Sequence, residues 1–268
     1  MKIAVLSDIH GNKLALEAVI ADINKNDVDH IIILGDLITD LPDDTNDVLD
    51  MVRSLDGYVI KGNRELYIQN GQEAYEYDQY AVTYMTEKIL SEKHKKYIHS
   101  LPESISLKFH SQATLKLVHG SPFSASELIF EDDQTRIVDC LDAISENMLL
   151  CGHSHAQWYK KVQNKTILNP GSVGLNFSGD KTAKYAIMEL GDDDWDIALK
   201  SVYYDFDLMK QKYDLTIPWI RLCIKGVEDG CLYTIRFLEE AKAICNKWPI
   251  PNDVWNNLFE EWCDKGII

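Results

Sequence analysis

Ile3-Ala4-Val5-Leu6-Ser7-Asp8-Ile9-His10-Gly11 decides how the chain must be read. Four apolar residues in a row, with no alternation, predict a strand buried on both faces. The polar break and glycine that follow deliver an Asp and a His at the strand's carboxyl end. The pattern then repeats. Leu14, Leu16, Ala18, Val19 and Ile23 give residues 13–24 a helical period, and His30-Ile31-Ile32-Ile33-Leu34 is a second apolar run, closed by Gly35-Asp36. Residues 43–55 predict a helix, with Pro42 before it and Asp43, Asp44 and Asp47 suiting its N-terminus. Tyr58-Val59-Ile60 is a third strand, leading into Gly62-Asn63-Arg64-Glu65. This β-α-β-α-β rhythm predicts a parallel sheet with ligands at the carboxyl ends of its strands.

The second half changes character. Residues 105–109, 114–118, 148–151, 158–162, 166–168, 185–190 and 197–204 predict short strands, interrupted by one helix over 134–146. Short connections point to hairpins and to a second, more antiparallel sheet. Between the halves, residues 73–99 are polar and helical, and Tyr75, Tyr77, Tyr80 and Tyr84 read as helix-packing residues. Residues 205–268 drop the strand pattern for helices over 234–247 and 253–264 and hold Trp219, Trp248, Trp255 and Trp262. The expected architecture is α/β, two face-packed mixed β-sheets flanked by helices, over residues 1–204, with a C-terminal helical appendage over 205–268. Clustered tryptophans read chiefly as that appendage's core; stacking on a nucleobase is the alternative.

Composition sets bounds. At 268 residues, 46% hydrophobic and 26% charged, the chain is an ordinary globular protein. The start MKIAVLSDIH is neither a signal peptide nor a membrane span, so a cytoplasmic location and no membrane partner are expected. A net charge of −16 argues against stable nucleic-acid binding. Cys140, Cys151, Cys223, Cys231, Cys245 and Cys263 show no CxxC spacing and read as reduced thiols.

Seven metal-ligating side chains follow predicted strands: Asp8 and His10, Asp36, Asn63, His119, and His153 with His155. Carboxylate, amide and imidazole together suit borderline divalent ions, and a shared Asp would make a two-metal site for phosphoryl transfer. Neither a GxSxG elbow nor a P-loop is present. His30, His94, His99 and His110 read as structural or surface residues. Gly11, Gly35, Gly62, Gly120 and Gly152 read as turn formers, and Asn12 reads as a helix cap rather than a phosphate contact.

Asp-x-His, Gly-Asp, Gly-Asn-x-Glu, His-Gly and Gly-His-x-His, in this order over residues 1–204, resemble the calcineurin-like metallophosphoesterases. The turn Asn169-Pro170-Gly171-Ser172-Val173 is similar to the small bacterial phosphodiesterase branch. The resemblance implies a four-layer α-β-β-α metallophosphoesterase sandwich. It also implies that Asp8, His10 and His155 hold one ion, that Asn63, His119 and His153 hold the other, and that Asp36 bridges both. Manganese or iron is expected, with zinc tolerated, and Asp36, Asn63, Arg64 and His119 are the expected catalytic set. In much of this family a histidine follows the Gly-Asn ligand. Here Arg64 does, and it cannot act as a general acid. The expected substrates are therefore small phosphorylated compounds with good leaving groups: phosphodiesters and phosphoanhydrides of nucleotides, including dinucleoside polyphosphates such as diadenosine tetraphosphate. Phosphomonoesterase or protein phosphatase activity, and a non-catalytic metal-bound scaffold, are the alternatives. Arg64 reads either as a bidentate clamp on a nonbridging oxygen or as a surface residue paired with Glu65. Whether the appendage makes a homodimer stays open.

Overall fold

In a computed structural model, which describes residues 1–71, 76–110, 113–191 and 194–268, the chain forms two five-stranded sheets packed face to face, with helices outside both. The first three strands and two helices are β1 (Lys2–Leu6), α1 (Lys13–Ile23), β2 (His30–Ile33), α2 (Thr45–Ser54) and β3 (Tyr58–Val59). As expected, β1, β2 and β3 pair in parallel. Helix α1 is capped by Asn12, whose side chain accepts from the Ala15 amide. Helix α2 starts at Thr45 with Asp44 at its cap, two residues later than Pro42 suggested.

The middle segment is more broken than its composition implied. It contains α3 (Asn63–Asn70), a 3-10 turn at 78–80, α4 (Ala81–Ile89) and α5 (Glu92–Ser100). Ser91 separates the last two by capping α5 through its side chain. Tyr75 lies outside the described residues, as does the side chain of His110.

The second sheet contains β4 (Ile105–His110), β5 (Ala113–Leu117), β6 (Met148–Leu150), β7 (Gln157–Val162) and β8 (Lys165–Pro170), in the order β4-β5-β6-β8-β7. Its central pairs β5–β6 and β6–β8 are parallel and only the edge pairs are antiparallel, so the expected antiparallel bias is corrected. Helix α6 (Gln134–Asp142) covers its outer face. A second correction concerns β9 (Thr182–Leu190) and β10 (Trp195–Tyr203). They belong to the first sheet, β9 running antiparallel to β1 and β10 lying at the edge. Residues 183–188 of β9 are buried on both faces, which an interior position satisfies.

Alternation divides the core. Ile3 and Val5 point between the sheets with Ile32, Leu34, Leu115 and Met188. Ala4 and Leu6 point the other way, into a larger cluster with α1, α2 and the C-terminal helices α7 (Phe206–Gln211), α8 (Pro218–Asp229), α9 (Tyr233–Cys245) and α10 (Asn252–Asp264). Phe237 packs edge-on to Trp255 and Trp262 at 4.8 and 5.2 Å between ring centroids, and Trp219 is buried beside them. Trp248 departs from this pattern at 55% exposed. Among the described residues no helix is long and apolar enough to cross a membrane, and all six cysteines are unpaired.

Candidate metal centre

Each of the seven expected ligands stands just past a strand. Asp8 and His10 follow β1, Asp36 follows β2, Asn63 opens α3 after β3, His119 follows β5, and His153 and His155 follow β6. Parallel strands in both sheets end on the same side, and the loops converge there. Asp8, His10 and His155 form one group and Asp36, His119 and His153 another, with ligand atoms in each within 4.8 Å of one another. Asn63 Oδ1 lies 3.0 Å from His119 Nε2, in the second group. Asp36 Oδ2 lies 3.2 Å from His119 Nε2 and 3.8 Å from His10 Nε2, between the two groups.

Backbone strain accompanies this convergence. Asp8, His10, Asp36, Thr39, Asp40, His153 and His155 all have φ between 50° and 69°. Each such non-glycine residue costs on the order of 1–2 kcal/mol, and such outliers concentrate at functional sites. Glycines make the close approaches possible. A Cβ on Gly62 would meet Asp36 Oδ1 at 2.1 Å, and one on Gly152 would meet Ser7 Oγ at 2.0 Å.

The hydrogen bonds test whether these residues fit cations. His119 Nδ1 and His155 Nδ1 face the carbonyl oxygens of Leu34 and Leu175 at 2.7 and 2.6 Å, and must donate to them. His10 Nδ1 likewise donates to Asp40 Oδ2 at 2.6 Å. All three Nε2 atoms of the neutral rings are then acceptors. Yet His10 Nε2 faces His155 Nε2 at 3.0 Å, and Asp8 Oδ1 is buried with no donor at all. Lone pairs turned on one another are repulsive unless a positive charge sits among them. The donor set fits divalent ions on this ground.

Protons meet the same need in the metal-free chain. Burial opposes charge on His10, but the Asp40 carboxylate beside it, with Asp8 and Asp36, raises its pKa to about 10. His119 rises against burial to about 9 through Asp36 and Asp8. Burial and the His119 charge lower His153 to about 4, leaving it neutral. Despite burial, the surrounding histidines hold Asp36 down at about 2.

Three contributors have roles that the sequence did not show, although Glu65 and the turn at 169–173 stood in its motifs. Asp40, fully buried four residues after Asp36, accepts from Thr39 Oγ1 as well as His10, and from the Trp219 indole of α8. It also takes both Nε and Nη2 of Arg64, at 2.9 and 3.0 Å. Arg64 and His10 hold the Asp40 carboxyl well below the usual range although burial pushes it up. Glu65, the second, accepts from the backbone amides of Asp36, Leu37 and Gly62, tying the loop after β2 to the one after β3. The third is the turn at Ser172, whose hydroxyl donates to the Asp8 carbonyl, while Asn169 holds the Gly152 carbonyl and the Ser154 hydroxyl. Polar residues spaced close to the ligands were the available signal.

Arg64 needs two corrections. It does not pair with Glu65, because Glu65 is buried against backbone amides. Its bidentate edge is already engaged by Asp40, with the guanidinium 5.5 Å from the Trp219 ring and 5.8 Å from that of Tyr67. Arg64 also lines the cavity beside the two ligand groups. That cavity, about 220 Å3, is bounded on one side by His10, Asp36, Asn63 and His153, and on the other by Leu232, Ile235 and other residues of the C-terminal segment.

The calcineurin-like phosphoesterase superfamily domain matches this chain over residues 1–193. An uncharacterized protein of Methanocaldococcus jannaschii is 27% identical over 228 residues, covering 78% of this chain and 89% of its own. A crystal structure of a metallophosphoesterase from Sphaerobacter thermophilus superposes with a TM-score of 0.69 at 25% identity, covering 86% of this chain and 100% of that one. A hypothetical protein of Pyrococcus horikoshii shares the fold at a TM-score of 0.72 and 19% identity, covering 85% and 98%. The paired ligand groups at the strand ends, the four-layer fold and the match over residues 1–193 agree: the chain belongs to the calcineurin-like phosphoesterase superfamily.

Proposed function

We propose that the chain is a dinuclear metal-dependent hydrolase of phosphodiester or phosphoanhydride bonds whose leaving groups depart without a proton. The observation that carries this reading is the set of acceptor atoms turned on one another at the wall of a cavity. Two divalent ions there would acidify a shared water and draw charge from the phosphoryl oxygens. Manganese or iron suits the carboxylate, imidazole and amide donors. Asp36, placed between the groups, is the residue on which both depend. Asp40 fixes the ring of His10 through Nδ1. Arg64 turns its free N–H groups toward a nonbridging oxygen.

Among the described residues the histidines lining the cavity, His10, His153 and His155, all belong to the ligand groups, and none of them is left to protonate a poor leaving group. Nucleotides, with dinucleoside polyphosphates such as diadenosine tetraphosphate among them, form the first panel to assay by chromatography of the products. The direct test is manganese-dependent hydrolysis of bis-p-nitrophenyl phosphate. Asp36→Ala and His119→Ala are expected to lose at least about a hundredfold in kcat/KM. Equal turnover by wild type and both variants would exclude the dinuclear reaction.

A further inference from the structure

Helix α9 carries more apolar surface than its packing uses. Phe237 and Ala241 turn one stripe into the tryptophan-rich core. Leu232, Ile235 and Leu238, three residues apart, form an adjacent stripe that is only partly buried and lines the cavity opposite the metal groups. Leu232 and Ile235 belong to no core cluster among the described residues. Phe177 extends this wall and stacks on His155 at 5.0 Å, with 7° between the ring planes. An apolar wall therefore stands against the place where the phosphorus would react.

Charge sharpens the picture. Among the described residues Arg64 is the one Lys or Arg side chain lining this cavity, and Asp40 neutralises it at its bidentate edge. Lys184, in the adjoining recess beyond His155 and Phe177, is paired with Asp180. A second or third phosphate beyond the reacting one would meet hydrocarbon, a few neutral polar side chains such as Ser126 and Ser154, or an occupied cation, and desolvating it without a free counter-charge is costly.

We propose that this wall is a subsite for an uncharged, compact apolar or flat aromatic group carried by the reacting phosphorus, directly or through one ester oxygen. The inference rests on the phosphohydrolase reading above and selects, within it, single-phosphorus diesters over phosphoanhydrides. Leu232, Ile235 and Phe177 act as specificity residues, and the C-terminal segment supplies one wall of the site.

The test compares p-nitrophenyl phenylphosphonate with p-nitrophenyl methylphosphonate, which share a leaving group and a charge and differ only in the group offered to the wall. Wild-type, manganese-loaded full chain is expected to show a KM about tenfold lower for the phenyl compound. In Leu232→Ser/Ile235→Ser that ratio should collapse to within about twofold. Calorimetric binding of phenylphosphonate and methylphosphonate reads the wall without turnover. Folding of the double variant is checked by circular dichroism, and Ile235→Trp, which fills the space, should reverse the preference. Turnover with equal KM for the two compounds would overturn the subsite and leave the reaction standing. Tighter phenylphosphonate binding with no turnover of either compound would uphold the subsite and overturn the reaction. A phenyl preference that survives in the double variant and in Ile235→Trp would place the group elsewhere and overturn the assignment.

Discussion

Asp40 ties together three things that the sequence keeps apart: the ring of His10, the guanidinium of Arg64 and the indole of Trp219. Its charge has a consequence for pH. His10 and His119 rise from an ordinary 6.5 to about 10 and about 9 when the metal-free chain folds. Groups raised in this way stabilise the fold fully below pH 6.5 and progressively less as pH climbs through 9 and 10. The metal-free Tm is expected to fall across that window, while manganese affinity rises because protons no longer compete for the same nitrogens. Differential scanning calorimetry of chelated and loaded protein checks both directions. Asp40→Asn removes the main support of the His10 charge and should shift the fall toward lower pH. A Tm independent of pH in the chelated protein would show that the two imidazoles are neutral without metal. Of the residues involved, the ligands were legible in sequence because Asp, His and Asn recur directly after apolar runs. Asp40 was not, because a buried carboxylate four residues past Asp36 looks like any loop aspartate until its partners are in place.

The elements place the ligands by ending together, and the loops between them hold through contacts too close for a side chain. The loop after β1 is bonded to the loop after β2 through Ile9 and His10 amides to the Asp36 carbonyl, at 2.8 and 2.9 Å. Gly62 sits against Asp36 so closely that even a methyl group has no room. Gly62→Ala should therefore displace Asp36 and cost about 2–4 kcal/mol of stability, with loss of the second bound ion. Urea unfolding and metal titration by calorimetry measure the two effects. Wild-type metal stoichiometry in this variant would mean that the loops shift without harm. The order β1-α1-β2-α2-β3 was legible because both periods, apolar run and helical repeat, are local. Which sheet β9 joins was not. Its apolar residues satisfy any interior position, and only pairing with β1, about 180 residues earlier in the chain, decides it.

Across the whole molecule, the C-terminal helices share one apolar cluster with the outer face of the first sheet and with α1 and α2. Trp219 is where that cluster reaches the polar centre. Trp219→Phe keeps the ring beside Arg64 and removes one donor from a fully buried carboxylate, which should cost about 1–3 kcal/mol. Chemical denaturation of the full chain measures it, and an unchanged midpoint would mean that Asp40 is satisfied without the indole. The sequence by itself determined the α/β order, the ligand identities and their place at strand ends, because hydrophobic period and turn chemistry act over a few residues. Tertiary structure alone decided that the ligand lone pairs face one another, that Asp40 rather than Glu65 holds Arg64, and that helix α9 walls the cavity. Those contacts join residues as far apart as Asp40 and Trp219, and no local pattern encodes a distance that only packing sets.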